Sequence, residues 1–361
     1  DIRILKKCYD MMKKWVEYQN STDRRNYGVR TVDGKEVPEQ SDLATIPYIQ
    51  VQQCRGDHLT YDNSTPYIYS ATAYAAHSAD ILRRTAYILG KTDDEKRYTE
   101  LFENIKRAFN DAWVNDDGSV SYYGEVSSQT AHCGESVALD GSVTRYTYYA
   151  ENTPHCPSQT AYALAVDFDL IPQDKLKNTR EYFKNSILRN NGKLTVGFLG
   201  ISHLAPALSK VGLDDVAFKL LEQEDNPSWL YSVKNGATTI WERWNSYIAE
   251  TDTFGDVSMN SFNHYSYGAI GQWFFTDILG IRPVEFGYKS FMLAPKFGGG
   301  LTYAKGSFTS PYGKISSAWK LHDGKFTYDC TVPTNTTATL KLPNGDIHTL
   351  VDGSYHFEID V

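Results

Sequence analysis

No run of apolar residues in this chain approaches the roughly 20 positions of a membrane span, so no spanning helix is expected. Positive charge is also short. The 36 lysines and arginines stand against 44 aspartates and glutamates, giving a net charge of −8 and a sequence pI of about 5.6. No basic stripe interrupts that acidity, which excludes a phosphate-backbone partner and hence nucleic acid. Cysteine is scattered and odd in number, at positions 8, 54, 133, 156 and 330, so this is no disulfide scaffold. Cys-x-x-Cys pairs are missing. The dipeptides His132-Cys133 and His155-Cys156 come nearest to a metal motif, but adjacent residues rarely converge on one ion. We expect no metal and no cofactor, and prefer a disulfide between Cys133 and Cys156 to a metal there. The chain also lacks an initiator methionine and a signal peptide at its start. It opens at Asp1 and passes into an amphipathic helix with Ile4, Leu5, Cys8, Tyr9, Met12, Trp15 and Val16 on one face. The expectation is that this is the downstream part of a longer polypeptide.

What the chain has in plenty is aromatic surface, with 26 tyrosines and 7 tryptophans. These side chains join a flat apolar face to a hydrogen-bonding edge, which suits polyhydroxylated ligands, although most of them must fill a core. A chain of 361 residues can bury a large one, and its length implies two domains or one large helical domain with an appendage.

From Pro66 to Leu279 the apolar period is helical. Thr65 as N-cap, Pro66 at the first helical position and Gly90 past the end delimit one helix. Thr92-Asp93-Asp94-Glu95 reads as a capping box opening the next, whose apolar positions run from Tyr98 to Ala112. Further helices are expected at 158–170, 173–189, 198–211, 213–223 and 261–279. Short connections make neighbours antiparallel hairpins, and such hairpins can close into a toroid around a funnel. The segments are too few for a complete ring of twelve helices. The stretch 119–157 interrupts the pattern and reads as an inserted loop. In it Ser128-Gln129-Thr130-Ala131 is echoed by Ser158-Gln159-Thr160-Ala161.

After Ile281 the texture becomes that of strands. Phe291–Ala294, Leu301–Thr309, Lys314–Leu321 and Lys325–Val332 alternate. Pro311-Tyr312-Gly313, Asp323-Gly324, Asn344-Gly345 and Asp352-Gly353 mark the turns. The expected division is 1–281 for the helical domain and 282–361 for a small antiparallel β-sandwich.

The segment Gly236-Ala237-Thr238-Thr239-Ile240-Trp241-Glu242-Arg243-Trp244 sets one carboxylate between two indoles. An acid able to move protons beside rings that stack on the C–H face of a sugar is what a glycosidase site requires. A packed core segment with a solvated Glu–Arg pair explains the same residues equally well.

Taken together, the chain resembles the bacterial α-L-rhamnosidases of glycoside hydrolase family 78. The resemblance runs through Gly56-Asp57, Thr65-Pro66, Ser158–Leu164, Gly197-Phe198-Leu199-Gly200, Gln223–Leu230, Gly236–Trp244, Asn263-His264-Tyr265, Gly268-Ala269, Leu301–Ser307 and Pro311-Tyr312-Gly313. It implies a mainly α fold, an (α/α)6 barrel incomplete at its N-terminal side, followed by the β-sandwich. It also implies removal of terminal α-L-rhamnose from glycosides, oligosaccharides or polysaccharides with inversion. In that chemistry an acid protonates the leaving oxygen, and a second carboxylate activates water on the opposite face. Glu242 matches the family's general base and His264 its sugar-binding histidine. Asp57 fits the funnel mouth, where the family reads Gly-Asp-Trp; here His58 replaces the tryptophan and offers a smaller, more polar wall. Trp241 or Trp244 is expected to supply the remaining aromatic surface to the sugar.

The family's Asp-Cys-Pro-x-Arg-Glu string, which carries the general acid, is absent. The acid is therefore expected upstream of Asp1, in a further part of the same polypeptide. Other classes stay open: another (α/α)6 glycosidase or phosphorylase, or a non-catalytic sugar-binding protein. A periplasmic or secreted location is preferred to a cytoplasmic one.

Overall fold

The computed structural model describes residues 1–21, 29–32, 35–38, 47–50, 56–61, 65–121, 134–137, 143–146 and 157–361. The two His-Cys dipeptides, Cys54 and most of the 119–157 insertion lie outside these residues, and with them the expected Cys133–Cys156 pairing. The chain divides into two compact units, Asp1–Leu204 and Ala205–Val361.

The first unit is helical. It comprises α1 (Ile2–Gln19), α2 (Tyr67–Ile88), α3 (Thr92–Trp113), α4 (Gln159–Asp167), α5 (Leu176–Leu188) and the start of α6 (Phe198–Lys210). Two short antiparallel pairs accompany them, β1 (Val29–Val32) with β2 (Lys35–Pro38) and β3 (Gly134–Val137) with β4 (Val143–Tyr146). α2 and α3 form a hairpin. Tyr69, near the start of α2, meets Phe109 and Trp113 at the end of α3, with ring centroids 4.8 and 5.2 Å apart. α4 is buried on every side from Gln159 to Val166. Its opening string explains why: Ser158 Oγ caps Ala161 N at 3.0 Å. The Gln159 side-chain amide donates to Lys193 O at 2.7 Å and accepts from Thr195 N at 3.0 Å. Each polar group that enters the core thus carries its own partner.

Several helix starts differ from the sequence expectation. Pro66, rather than Thr65, occupies the N-cap of α2, because its extended backbone (ψ 144°) precedes the first helical turn. Thr92 is already helical, so Thr92–Glu95 forms no capping box; Lys91 is the N-cap and makes no side-chain bond. The apolar face of α1 is only partly covered. Tyr9 and Val16 are buried, whereas Ile4 and Trp15 are exposed.

The second unit holds the rest of α6, then α7 (Asp214–Leu221), α8 (Trp229–Lys234) and α9 (Ile270–Trp273), which runs on as a wider turn to Ile278. α8 escapes the sequence reading, being six residues long. The expected helix at 261–279 begins only at Ser266. A small antiparallel pair, β5 (Tyr247–Ile248) and β6 (Thr253–Phe254), lies between α8 and α9.

From Ile281 onward the unit is made of strands: β7 (Ile281–Pro283), β8 (Ser290–Leu293), β9 (Tyr303–Ser310), β10 (Gly313–His322), β11 (Lys325–Val332), β12 (Thr337–Lys341), β13 (Ile347–Leu350) and β14 (Gly353–Asp360). They form two four-stranded sheets, β14-β11-β10-β9 and β13-β12-β8-β7. The first sheet is antiparallel throughout. The second is antiparallel except that β12 runs parallel to β8, so the expected antiparallel sandwich holds one parallel pair. Alternation sets the buried face: Ile315, Ser317 and Trp319 on β10 and Phe326, Tyr328, Cys330 and Val332 on β11. Trp319 Nε1 donates to Ile278 O at 2.9 Å and Ser317 Oγ to Leu279 O at 2.7 Å, fastening the sheet to the end of the helical segment. Among the described residues no helix is long and apolar enough to cross a membrane.

Candidate functional site

The sequence-predicted residues fall in both units, Asp57 and His58 in the first, Trp241, Glu242 and His264 in the second. In the first unit a helix leaves its opening N–H groups without intrahelical partners, and at α6 a single turn satisfies four of them. Asp57 Oδ2 accepts from Gly197 N at 2.8 Å, and its Oδ1 accepts from Leu199 N at 2.8 Å and Gly200 N at 3.0 Å. The fourth donor, Phe198 N, goes to His58 O at 2.9 Å. Thr160 Oγ1 donates to Asp57 Oδ2 as well. The carboxyl is 6% exposed. Burial pushes it above the usual carboxylate range, against the pull of those donors, which favour the charged form. Asp57 thus satisfies the opening N–H groups of α6, with both its oxygens engaged by protein donors.

Gly197 has to be glycine for this arrangement. A Cβ there would lie 2.2 Å from His58 O and 2.7 Å from both Asp57 O and Thr60 N, all backbone atoms. The His58 ring is half-buried, edge-on to Phe198 at 5.5 Å.

In the second unit the Gly236–Trp244 phrase lies against the return segment 261–264. Glu242 N donates to Ser261 O at 2.8 Å and His264 N to Ile240 O at 2.8 Å. These two rungs bring Glu242 and His264 onto neighbouring backbones. The half-buried Glu242 carboxylate accepts from Ser261 N through Oε2 at 2.7 Å, and its Oε1 has no hydrogen-bond partner among the described residues. Ser266 N donates to His264 Nδ1 at 3.3 Å, which leaves the proton of a neutral ring on Nε2. The imidazole lies flat against Tyr265, centroids 5.2 Å apart.

Both indoles are buried. Trp241 is 6% exposed and meets Phe262 edge-on at 5.3 Å; Phe262 in turn meets Phe254 at 5.7 Å. Trp244 is buried and stacks on Tyr267 at 3.8 Å. Trp241 is thus packed among the aromatic residues of the 254–262 return.

Arg243 does not pair with Glu242. Its Nε donates to Met259 O at 2.7 Å and its Nη2 to Asp256 Oδ2 at 3.0 Å. Asn260 Nδ2 donates to Ser246 O at 2.8 Å, so the 245–260 excursion is closed at both ends. Hydrogen bonds from Ser258 and the Arg243 charge hold the Asp256 carboxyl below its usual range.

Sequence reasoning missed two features. One is Ser261, whose backbone N–H is an orienting donor that any residue but proline supplies. The other is a relay in the first unit: His203 Nδ1 lies 2.6 Å from Asp167 Oδ2, and Tyr74 Oη lies 3.2 Å from His203 Nε2. Both assemble from separate helices or loops and leave no local motif.

Two family models match the chain. A bacterial alpha-L-rhamnosidase six-hairpin glycosidase domain covers residues 1–278, and a bacterial alpha-L-rhamnosidase C-terminal domain covers residues 280–357. An alpha-L-rhamnosidase of Formosa agariphila is 33% identical over 352 residues, which is 97% of this chain and 32% of that protein. One from Streptomyces avermitilis is 37% identical over 288 residues, 80% of this chain and 24% of that protein. The crystal structure of the Streptomyces avermitilis alpha-L-rhamnosidase complexed with L-rhamnose superposes with a TM-score of 0.80 at 30% identity, covering 100% of this chain and 31% of that one. The chain thus spans about a third, or less, of the length of the relatives it matches.

Proposed function

The chain belongs to the bacterial α-L-rhamnosidase family, and we propose that it carries the water-activating side of an inverting hydrolysis of terminal α-L-rhamnosides. In this reading Glu242 is the general base. It takes a proton from water as the water oxygen bonds to the anomeric carbon, while the bond from that carbon to the glycosidic oxygen breaks on the opposite face. The leaving oxygen needs a proton of its own. The family's acid-bearing string does not occur in residues 1–361, so we assign that proton to a carboxylic acid outside them.

The observation that carries the reading is the state of one carboxylate. Glu242 is oriented by a single backbone donor at one oxygen, with the other oxygen unpartnered among the described residues. A base needs that combination of fixed direction and an open lone pair. His264, its proton on Nε2, is the proposed donor to a sugar hydroxyl, and Trp241 is proposed to brace the segment that bears Glu242. In the first unit, His58 and, through the turn that presents it, Asp57 are proposed sugar-binding residues. Residues 1–281 are proposed as part of an (α/α)6 catalytic domain and 282–361 as a sandwich that supports it. The substrates are rhamnose-containing glycosides, oligosaccharides or polysaccharides.

The test is stereochemical. Proton NMR of the whole protein acting on an aryl α-L-rhamnoside is expected to show β-L-rhamnose as the first product, before mutarotation. First release of the α anomer contradicts the inverting reading.

A further inference from the structure

A histidine that donates to a sugar hydroxyl must keep its N–H pointed one way, and at His264 the main chain supplies only part of that control. The backbone is pinned from inside. His264 N donates to Ile240 O at 2.8 Å, and Tyr265 O accepts from Gly268 N at 2.9 Å, closing a single helical turn. Tyr267 is buried, stacks on Trp244 at 3.8 Å and accepts from Trp229 Nε1 through its carbonyl at 2.8 Å. These contacts hold the main chain of the turn, and the imidazole needs holding of its own.

Two contacts meet the ring from different directions. In its plane, Ser266 N donates to Nδ1 at 3.3 Å, which is long for such a bond. It selects the nitrogen that carries the proton and restrains the ring weakly. Across its face lies Tyr265, with centroids 5.2 Å apart and planes 12° from parallel. Offset parallel rings of this kind attract beyond their buried area. The bond to Nδ1 resists twisting of the imidazole, and the tyrosine face resists its swinging to one side.

The tyrosine's own surroundings are sparse. It is 85% exposed, more than any other tyrosine, phenylalanine or tryptophan among the described residues. Its ring meets only the His264 imidazole among those residues. A ring so placed removes little apolar area from water and contributes little to folding. Its contact with the imidazole is what it has to offer.

We infer that Tyr265 is a positioning residue, whose ring holds the His264 imidazole so that Nε2–H keeps its direction toward the sugar. This rests on the reading of His264 as donor to a sugar hydroxyl. Tyr265 touches no substrate in this scheme, and its effect passes through His264.

Steady-state kinetics of the whole protein on an aryl α-L-rhamnoside test the inference with four variants. Tyr265→Leu keeps apolar bulk and loses the flat face. Its kcat/KM is expected to fall about 3- to 10-fold, the worth of one aromatic pair, chiefly through a raised KM. Tyr265→Phe keeps the face and is expected to recover most of that loss. His264→Ala is expected to raise KM further, and Tyr265→Leu added to it should cost nothing more. Wild-type kinetics in Tyr265→Leu, equal losses in the leucine and phenylalanine variants, or additive losses in the double variant overturn the inference. So does a lowered unfolding midpoint in Tyr265→Leu, which would make the ring a support of the fold. A large effect of His264→Ala beside an unmoved Tyr265→Leu removes the tyrosine's role alone. An unmoved His264→Ala removes the donor reading beneath it.

Discussion

Asp57 and Glu242 are both carboxylates on irregular backbone next to glycine-bearing phrases, and the structure gives them opposite circumstances. Asp57 is 6% exposed, with both oxygens engaged by three backbone N–H groups and a threonine hydroxyl. Glu242 is half-buried, with one oxygen held by one donor. An acceptor saturated by protein donors has no open lone pair to offer a sugar or a water, whereas one that is fixed and half-open does. The number of donors separates the two carboxylates, and residue type does not.

That contrast is broken most severely by exchanging the groups. Glu242→Gln keeps an oxygen for Ser261 N and loses only basicity. The expected result is a fall in kcat of about 10²–10⁴ with an unfolding midpoint close to wild type. Asp57→Ala should do the reverse. It strands buried donors at the start of α6 and is expected to cost on the order of 3 kcal/mol or more of stability, read in a denaturant titration. A Glu242→Gln protein that unfolds early, or an Asp57→Ala protein as stable as wild type, removes the distinction.

Gly197→Ala sharpens the Asp57 half of the comparison without touching a polar group. The new methyl meets three backbone atoms of the 57–60 turn, none of which can rotate away, and about 1–3 kcal/mol of destabilisation is expected. Equal stability would mean that the turn yields.

The smallest effect belongs to a third carboxylate. Asp94 accepts from Lys13 Nζ at 2.9 Å and Tyr9 Oη at 2.7 Å, tying α3 to α1. These bonds hold its carboxyl below the ordinary value of 3.8. A depressed value in the folded state means stability that is present above about pH 4 and lost as pH falls through the folded value. Wild type and Asp94→Asn should therefore differ modestly in unfolding midpoint at neutral pH, and the gap should close on acidification. A gap that is constant with pH contradicts the assignment.

Regular periodicity was the most legible signal in the sequence. β11 spans Lys325–Val332, as alternation predicts, and α6 and α7 start and end within about two residues of the helical pattern. Features set by distant partners were not legible. The parallel pairing of β8 with β12 has no mark in either strand. Local cap grammar misplaced the start of α3, because Thr92 turns helical one residue early. At the candidate site the phrase around Glu242 was visible as a string, and burial of Trp241 and Trp244 shows which of its side chains pack inward. The occupation of Asp57 was hidden. Three of its donors come from 140 or more residues away, so nothing near Gly56-Asp57 shows that the acid is already in use.

Glu242 as water-activating base is the claim on which the rest depends, and chemical rescue tests it most directly. In the whole protein, Glu242→Ala opens space beside the anomeric carbon and removes the base. Azide, a nucleophile that needs no deprotonation, is expected to restore turnover of an aryl α-L-rhamnoside and to yield β-L-rhamnosyl azide. Unimpaired hydrolysis by Glu242→Ala, or an α-configured azide product, contradicts the account.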